Sequence, residues 1–217
     1  MRILELFSGT GSVGSVYEFM GWEVVSLDID PKAAATIHAD IRTWDFTVFP
    51  RGHFDVVWAS PVCTHYSRAR TRARTPRDFV WADSLVQRAL EIIDYFKPRF
   101  WFLENPQTGL LKTRPFMLEL PYTDVDYCCY SDWGYKKRTR IWNNSGYQGS
   151  LCLGAGRCPS MLGRRHLTSA QQGSRVVGGA SDGLRNGQRE LYRIPENLCL
   201  SMAVHVHASI ADGGGGA

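Results

Sequence analysis

The chain has 217 residues, 44% hydrophobic and 21% charged, the proportions of a folded protein with one good core. No apolar stretch is long enough to span a bilayer, and the opening MRILELFSG enters a strand pattern directly, without the layout of a signal peptide. A formal charge of +4 is only mildly basic, so the placement of the basic residues says more than their sum.

Residues 2–7 alternate toward a buried strand, and a glycine-rich turn at 8–14 leads into a helix ending near Gly21. Residues 22–27 read as a second strand stopped by Asp28-Ile29-Asp30-Pro31. Pro31 stands where a helix can begin, and the composition of 32–39 predicts one, with Asp40-Ile41 closing the unit. Residues 55–59 form the next strand. Over 83–96, Leu85, Ala89, Ile92, Ile93 and Phe96 recur at helical spacing. Residues 100–103 predict a short strand ending in Glu104-Asn105-Pro106, and 122–130 and 138–142 a late pair of strands. The alternation through the first 106 residues predicts an α/β fold with a doubly wound, mostly parallel sheet.

The texture changes near Asn143. The core is therefore expected over 1–142, and a small irregular insertion, rich in Gly, Ser, Arg, Asn and Gln, over 143–190. Order returns over 191–212 with a short helix at 196–208, and 213–217 is expected to be a flexible tail.

Chemistry concentrates at FDVVWASPVCTHYS, where an apolar run stops at Ser60-Pro61-Val62-Cys63. A thiol just past the carboxyl end of a strand stands on the sheet edge where α/β folds bind ligands. It can act as a nucleophile if its surroundings stabilise the thiolate. Three basic clusters follow: Arg68, Arg70, Arg72, Arg74 and Arg77; then Lys136, Lys137, Arg138 and Arg140; then Arg157, Arg164, Arg165 and His166. Any one cluster reads as solvated surface. Together with Tyr66, Trp133, Tyr135 and Trp142 they point to nucleic acid.

In FSGTGSVG the glycines at 9, 11 and 14 allow a tight turn and a close backbone approach to a ligand, whether dinucleotide, phosphate or adenosyl cofactor. Asp28, at the end of the second strand, suits a ribose diol, and Asp40 stands where an acid can meet an adenine amino group.

Several motifs in order resemble the cytosine-C5 DNA methyltransferase family, over roughly residues 3–142. LFSGTG is similar to its opening cofactor motif, with Phe7 as the aromatic that stacks on adenine, and SLDIDPKA to its second. Pro61-Val62-Cys63-Thr64-His65-Tyr66-Ser67 resembles the nucleophile motif, placing Cys63 on the attacking cysteine. Leu103-Glu104-Asn105-Pro106 resembles the Glu-Asn-Val motif, placing Glu104 on the carboxylate that holds the base. Lys136-Lys137-Arg138-Thr139-Arg140 resembles the Gln-x-Arg-x-Arg motif, placing Arg138 and Arg140 on its arginines.

Val62, Thr64, Pro106 and Lys136 depart from the family pattern, its final Gly-Asn motif is not recognisable, and the recognition region is short, as in a divergent phage or viral branch. The resemblance implies an S-adenosylmethionine-dependent fold acting on double-stranded DNA, in the cytoplasm or at the nucleoid. Phe7, Ser8, Gly9, Gly11, Asp28, Ile29, Asp40, Ile41 and Pro61 would hold the cofactor. Cys63, Glu104, Arg138 and Arg140 would serve catalysis.

Two other readings stay open. Ser60-Pro61-Val62-Cys63 can be laid on the Ser-Pro-Pro-Tyr type of motif of exocyclic-amine methyltransferases, although these need an aromatic platform and no thiol. A DNA-binding protein that keeps the fold without methyl transfer is the second, and RNA is an alternative substrate.

The six cysteines form no tight even framework, and adjacent Cys128 and Cys129 suit no simple pair of bridges, so reduced thiols are expected. Cys152, Cys158 and His166 lie in the irregular segment, where a structural zinc would explain them, with Cys128 or Cys129 as a fourth ligand. Reduced thiols in a loop are the alternative.

Overall fold

A computed structural model describes residues 1–68, 70, 73–170 and 192–212. Its centre is a seven-stranded sheet of β1 (Arg2–Leu6), β2 (Glu23–Asp28), β3 (Ile37–His38), β4 (Val56–Ala59), β5 (Phe100–Pro106), β6 (Tyr122–Asp126) and β7 (Arg138–Asn143). The strand order is β3-β2-β1-β4-β5-β7-β6. β7 runs antiparallel to both of its neighbours, and the other pairings are parallel.

Side-chain alternation divides the core between the two faces. Leu4 and Leu6 of β1, with Val57 and Ala59 of β4, pack under α2 (Phe79–Phe96). Ile3, Val56 and Trp58 pack on the other face against α1 (Gly14–Phe19) and α3 (Glu196–Asp212). Strands covered on both faces have no solvent side, which is why β4 reads as an unbroken apolar run. Strand order reverses between β1 and β4, and the crevice beyond their carboxyl ends is the place such a sheet offers a ligand.

α2 starts a turn earlier than the apolar periodicity suggests because Asp78 caps it, accepting the Trp81 amide at 2.8 Å. It ends at Lys97 in a left-handed conformation (φ 48°). α3 continues past the expected end to Asp212.

The helix predicted over 32–39 is absent: only a turn follows Pro31, and the chain then enters β3. Thr36 explains the difference. Its amide donates to Ser26 Oγ at 3.0 Å, its hydroxyl donates to the Ser26 carbonyl at 2.8 Å, and its Oγ1 accepts the Ser26 amide at 2.7 Å. This zip along the edge of β2 draws 36–38 into extended backbone, and tertiary contact overrides local propensity.

All six cysteines are free thiols. The described part of the irregular segment carries one small ribbon, β8 (Met161–Leu162) paired with β9 (Arg165–His166). The remainder of the predicted insertion (171–190), Leu191, Arg72 and the tail 213–217 lie outside the described residues. Among the described residues no helix is long and apolar enough to cross a membrane.

Candidate active site

A cavity of about 280 Å³ opens at the carboxyl ends of β1, β2, β4 and β5. The turn after β1 forms one wall. Phe7 takes a left-handed conformation (φ 59°), unfavourable for a residue with a Cβ and characteristic of functional turns. Gly9 follows at φ 48°, and its amide donates to Asp28 Oδ2 at 2.8 Å, tying the turn to the end of β2. The other Asp28 oxygen accepts the Asp30 amide at 2.8 Å.

Phe7, Ser8, Gly9, Asp28, Ile29, Asp40, Ile41 and Pro61 all line this cavity. Gly11 does not. It shapes the turn from behind, with φ 66° and its amide donating to the Ser8 carbonyl at 2.8 Å. Asp40 is held below the usual carboxylate range, chiefly by its hydrogen bonds from the Arg42 side chain.

The lining fits an adenosyl cofactor. Ser8 Oγ is buried in the cavity wall with no partner among the described residues, so a ligand hydroxyl or amine has an unpaired group to meet. Ile29, 68% exposed, and Phe7 offer apolar surface to a base, and Asp28 and Asp40 offer acceptors.

Cys63 and Glu104 line the same cavity from β4 and β5. Hydrogen bonds to β5, α2 and the segment after β5 hold the turn that carries the thiol. Asn105 Nδ2 donates to the Pro61 carbonyl at 2.9 Å. Tyr66, fully buried, donates to Asp83 Oδ1 on α2 at 2.7 Å, and its carbonyl accepts the Leu110 amide at 2.9 Å.

Burial pushes the Cys63 thiol up, the Lys137 ammonium pulls it down, and an ionised Glu104 pushes it up again. Burial likewise raises the Glu104 carboxyl, against the pull of Lys137 and a hydrogen bond from Tyr127. Lys137 Nζ lies 3.9 Å from Glu104 Oε1, and the Tyr127 hydroxyl donates to the same oxygen at 3.4 Å. Since the Glu104 carboxylate opposes ionisation of the thiol, a protonated Glu104 favours the thiolate.

The structure places Arg138 and Arg140 elsewhere. They sit across from Asp126 and Asp124 in the β6–β7 register, and their guanidinium groups bind those carboxylates in pairs of hydrogen bonds of 2.7–3.0 Å. Neither lines the cavity. Lys137, one position before Arg138, does, because successive side chains of an extended segment point to opposite faces.

Glu5 and Trp81 are further lining residues that sequence reasoning passed over. Glu5 looks like a strand-interior residue on the α1 face, and burial pushes its carboxyl up to about 7. The signal that could have found Lys137 is the alternation in Lys136-Lys137-Arg138 itself.

Residues 1–119 match the family of C-5 cytosine-specific DNA methylases. A frog virus 3 protein named as a DNA (cytosine-5)-methyltransferase is 38% identical over 222 residues, an alignment covering 93% of this chain and 98% of the viral one. The chain belongs to the C-5 cytosine-specific DNA methylase family. It is an S-adenosylmethionine-dependent enzyme that methylates C5 of cytosine in DNA.

Solved structures bear on the fold alone. A methyltransferase from Entamoeba histolytica is similar with a TM-score of 0.56 at 12% identity, covering 97% of this chain and 98% of that one. A DNA modification methyltransferase encoded within an Escherichia coli prophage is similar with a TM-score of 0.51 at 15% identity. That likeness covers 66% of this chain and 46% of the prophage protein. Phe7, Ser8 and Gly9, Pro61 and Cys63, and Glu104, from the three segments that resemble this family's opening, nucleophile and Glu-Asn motifs, all line the cavity.

Proposed function

We propose that Cys63 is the nucleophile of this methyltransferase and Glu104 its base-holding acid, acting on a cytosine turned out of double-stranded DNA. The observation that supports this is that the two residues face one cavity shared with Phe7, Gly9, Asp28 and Asp40. C5 of cytosine is a poor nucleophile until C6 is saturated, so the Cys63 thiolate first forms a sulfur–carbon bond at C6. Glu104, whose protonated form burial favours, donates to N3 and takes up the charge that the addition places on the ring. Its carboxyl oxygen can accept from the exocyclic amine.

Bound S-adenosylmethionine supplies an electrophilic methyl carbon. With the cofactor bound, C5 would gain the methyl group as S-adenosylhomocysteine departs and the N3 proton returns to Glu104; loss of the C5 proton to a base and expulsion of the Cys63 thiolate then restore the aromatic ring. Lys137 lowers the cost of both charged states, the thiolate before attack and the carboxylate after proton donation. The target atom is unreachable inside a stacked duplex, so the base must be flipped into the cavity.

Arg138 and Arg140 act in this reading as positioning residues that hold β6 against β7 and so set Lys137 in place. Arg68 and Arg74, exposed beyond the nucleophile turn, meet DNA phosphates. Phe7 and Ile29 hold the adenine, Asp28 the ribose and Asp40 the adenine amine. Ser8, Ile41 and Pro61 complete the walls, and Gly11 shapes the turn. The core spans 1–142, with the following segment as a reduced recognition element, and the enzyme works wherever its DNA resides, at the nucleoid or in a host cytoplasm.

The test is methyl transfer to mixed-sequence duplex DNA, read as modified nucleosides by mass spectrometry, with Cys63→Ala beside the native chain. Cysteine-dependent 5-methylcytosine is expected. A Cys63→Ala protein that still makes 5-methylcytosine sinks the assignment.

A further inference from the structure

Away from the cofactor cavity, Cys128, Cys152, Cys158 and His166 each bring one ligand atom into a group whose members all lie within 4.8 Å of one another. They come from separated parts of the chain. Cys128 is buried in the single turn that follows β6 (Tyr127–Cys129). Cys152 and Cys158 flank a loop beyond β7, and His166 closes the β8–β9 ribbon. None of the four lines the cofactor cavity.

We propose that these four side chains bind one structural zinc ion. In a tetrahedral site with Zn–S of about 2.3 Å and Zn–N of about 2.0–2.1 Å, each sulfur–nitrogen edge is about 3.6 Å long. Cys152 Sγ and Cys158 Sγ lie 3.6 and 3.7 Å from His166 Nε2. Sulfurs drawn together by a disulfide would instead be paired at about 2.05 Å, and an odd number of thiols around one imidazole cannot all pair. All of these cysteines are free. Three thiolates and one imidazole are the soft donor set that selects zinc, and four protein ligands leave no open position for catalysis.

The surrounding chain needs such a cross-link. Between residues 151 and 170 only Ser160 is buried, while Leu153, Leu162 and Leu167 are 71%, 78% and 56% exposed. A segment with so little apolar burial has few contacts to offset the entropy of ordering it. Its backbone is nevertheless shaped around the sulfurs: Gly154 (φ 82°) and Gly156 (φ 79°) turn the loop, and the Cys158 amide donates to the Gly154 carbonyl at 3.0 Å. The Cys152 amide donates to Asp126 Oδ2 at 2.8 Å, which fixes that ligand to the end of β6. Zinc would thus staple 152–166 to the sheet edge beside Cys128. Cys129, exposed and outside the cluster, takes no part.

The test is metal content of the purified full chain, desalted and measured by inductively coupled plasma mass spectrometry, with cofactor binding as a check on folding. About one zinc per chain is expected in the native protein and in Cys129→Ser. Cys158→Ser should lose most of it, whereas His166→Cys, which keeps four soft ligands, should retain it. A folded native protein without zinc, or one carrying iron in its place, overturns the proposal. So does a Cys158→Ser protein that holds as much zinc as the native chain. Retention in His166→Cys separates loss of a ligand from simple misfolding. Because the readout is metal and not methyl transfer, its failure is distinct from failure of the catalytic assignment.

Discussion

The side-chain amide of Asn105 donates to the carbonyl of Pro61 at 2.9 Å, joining the end of β5 to the turn that presents Cys63. Asn105 is fully buried, so the residue beside Glu104 ties down the turn that carries Cys63. Asn105→Ala strips the donor from a carbonyl held in the interior, at a cost of about 1–3 kcal/mol. Displacement of the thiol should slow methyl transfer by roughly tenfold to a hundredfold. Cofactor affinity by calorimetry should stay near native. An unchanged single-turnover rate would show that the bond does not position the turn.

Lys137 stabilises the Cys63 thiolate, and the Glu104 carboxylate opposes it. Alkylation of Cys63, followed site by site by mass spectrometry across pH, reads this directly. Lys137→Met should move the alkylation midpoint to higher pH. Glu104→Gln should move it lower, because the opposing charge is gone. Shifts in the reverse sense would remove the electrostatic account of both residues.

Glu5 is buried on the α1 face, where Oε2 accepts the Gly14 amide at 3.0 Å and burial raises its carboxyl from the ordinary 4.5 to about 7. A raised folded value means that the native state holds a proton which the unfolded chain has already released. The group's favourable contribution is complete below about pH 4.5 and is lost as pH rises toward 7, a span worth about 3 kcal/mol. Urea unfolding at a series of pH values should show this decline in the native protein. Glu5→Gln, which keeps an acceptor for the amide, should flatten it.

Asp126 is fully buried, and Arg138 supplies its two closest charged hydrogen bonds. Burial alone would raise this carboxyl, yet Arg138, the Cys152 amide and Lys136 together hold it below its usual range. Among the described residues, Arg138→Ala leaves a buried anion with only Lys136, 3.4 Å away, as a cation partner. A loss of about 2–3 kcal/mol in urea unfolding is expected, at the low end for a broken buried pair because Lys136 remains. Activity should fall as well, since Lys137 moves with the strand. A stable but inactive Arg138→Ala protein would instead place that guanidinium on the substrate.

Arg68 and Arg74 are exposed, whereas Arg77 donates to the His65 carbonyl at 2.8 Å and Arg70 to the Thr75 carbonyl at 2.9 Å within the loop. Substituting Arg68 or Arg74 with alanine should lower the slope of log affinity against log salt by about 1 each, for any DNA sequence. Fluorescence anisotropy at several salt concentrations measures it. Unaltered slopes would place the phosphate contacts elsewhere.

Much of this molecule is legible in its chain. Strands β1, β2, β4 and β5 announce themselves as apolar runs because both faces of the central sheet are covered, and their ends are marked by Gly, Asp, Ser-Pro and Glu-Asn. The residues proposed to hold the cofactor cluster at those ends because parallel strands deliver their carboxyl ends to one edge. The segment at 32–39 departs from its helical composition because its conformation is dictated by Thr36 bonding to Ser26 on another element, which no local pattern records.

The family, the α/β sheet and the convergence of Cys63 and Glu104 on one cavity can be read from the chain. Each of these follows from short-range pattern and strand direction. It took the folded chain to show that Arg138 and Arg140 pair with Asp126 and Asp124 while Lys137 faces Glu104. The fold alone brought Cys128 from the end of β6 to Cys152, Cys158 and His166. Pairing across strands and contacts between distant loops depend on register and packing, and neither has a signature in the local order of residues.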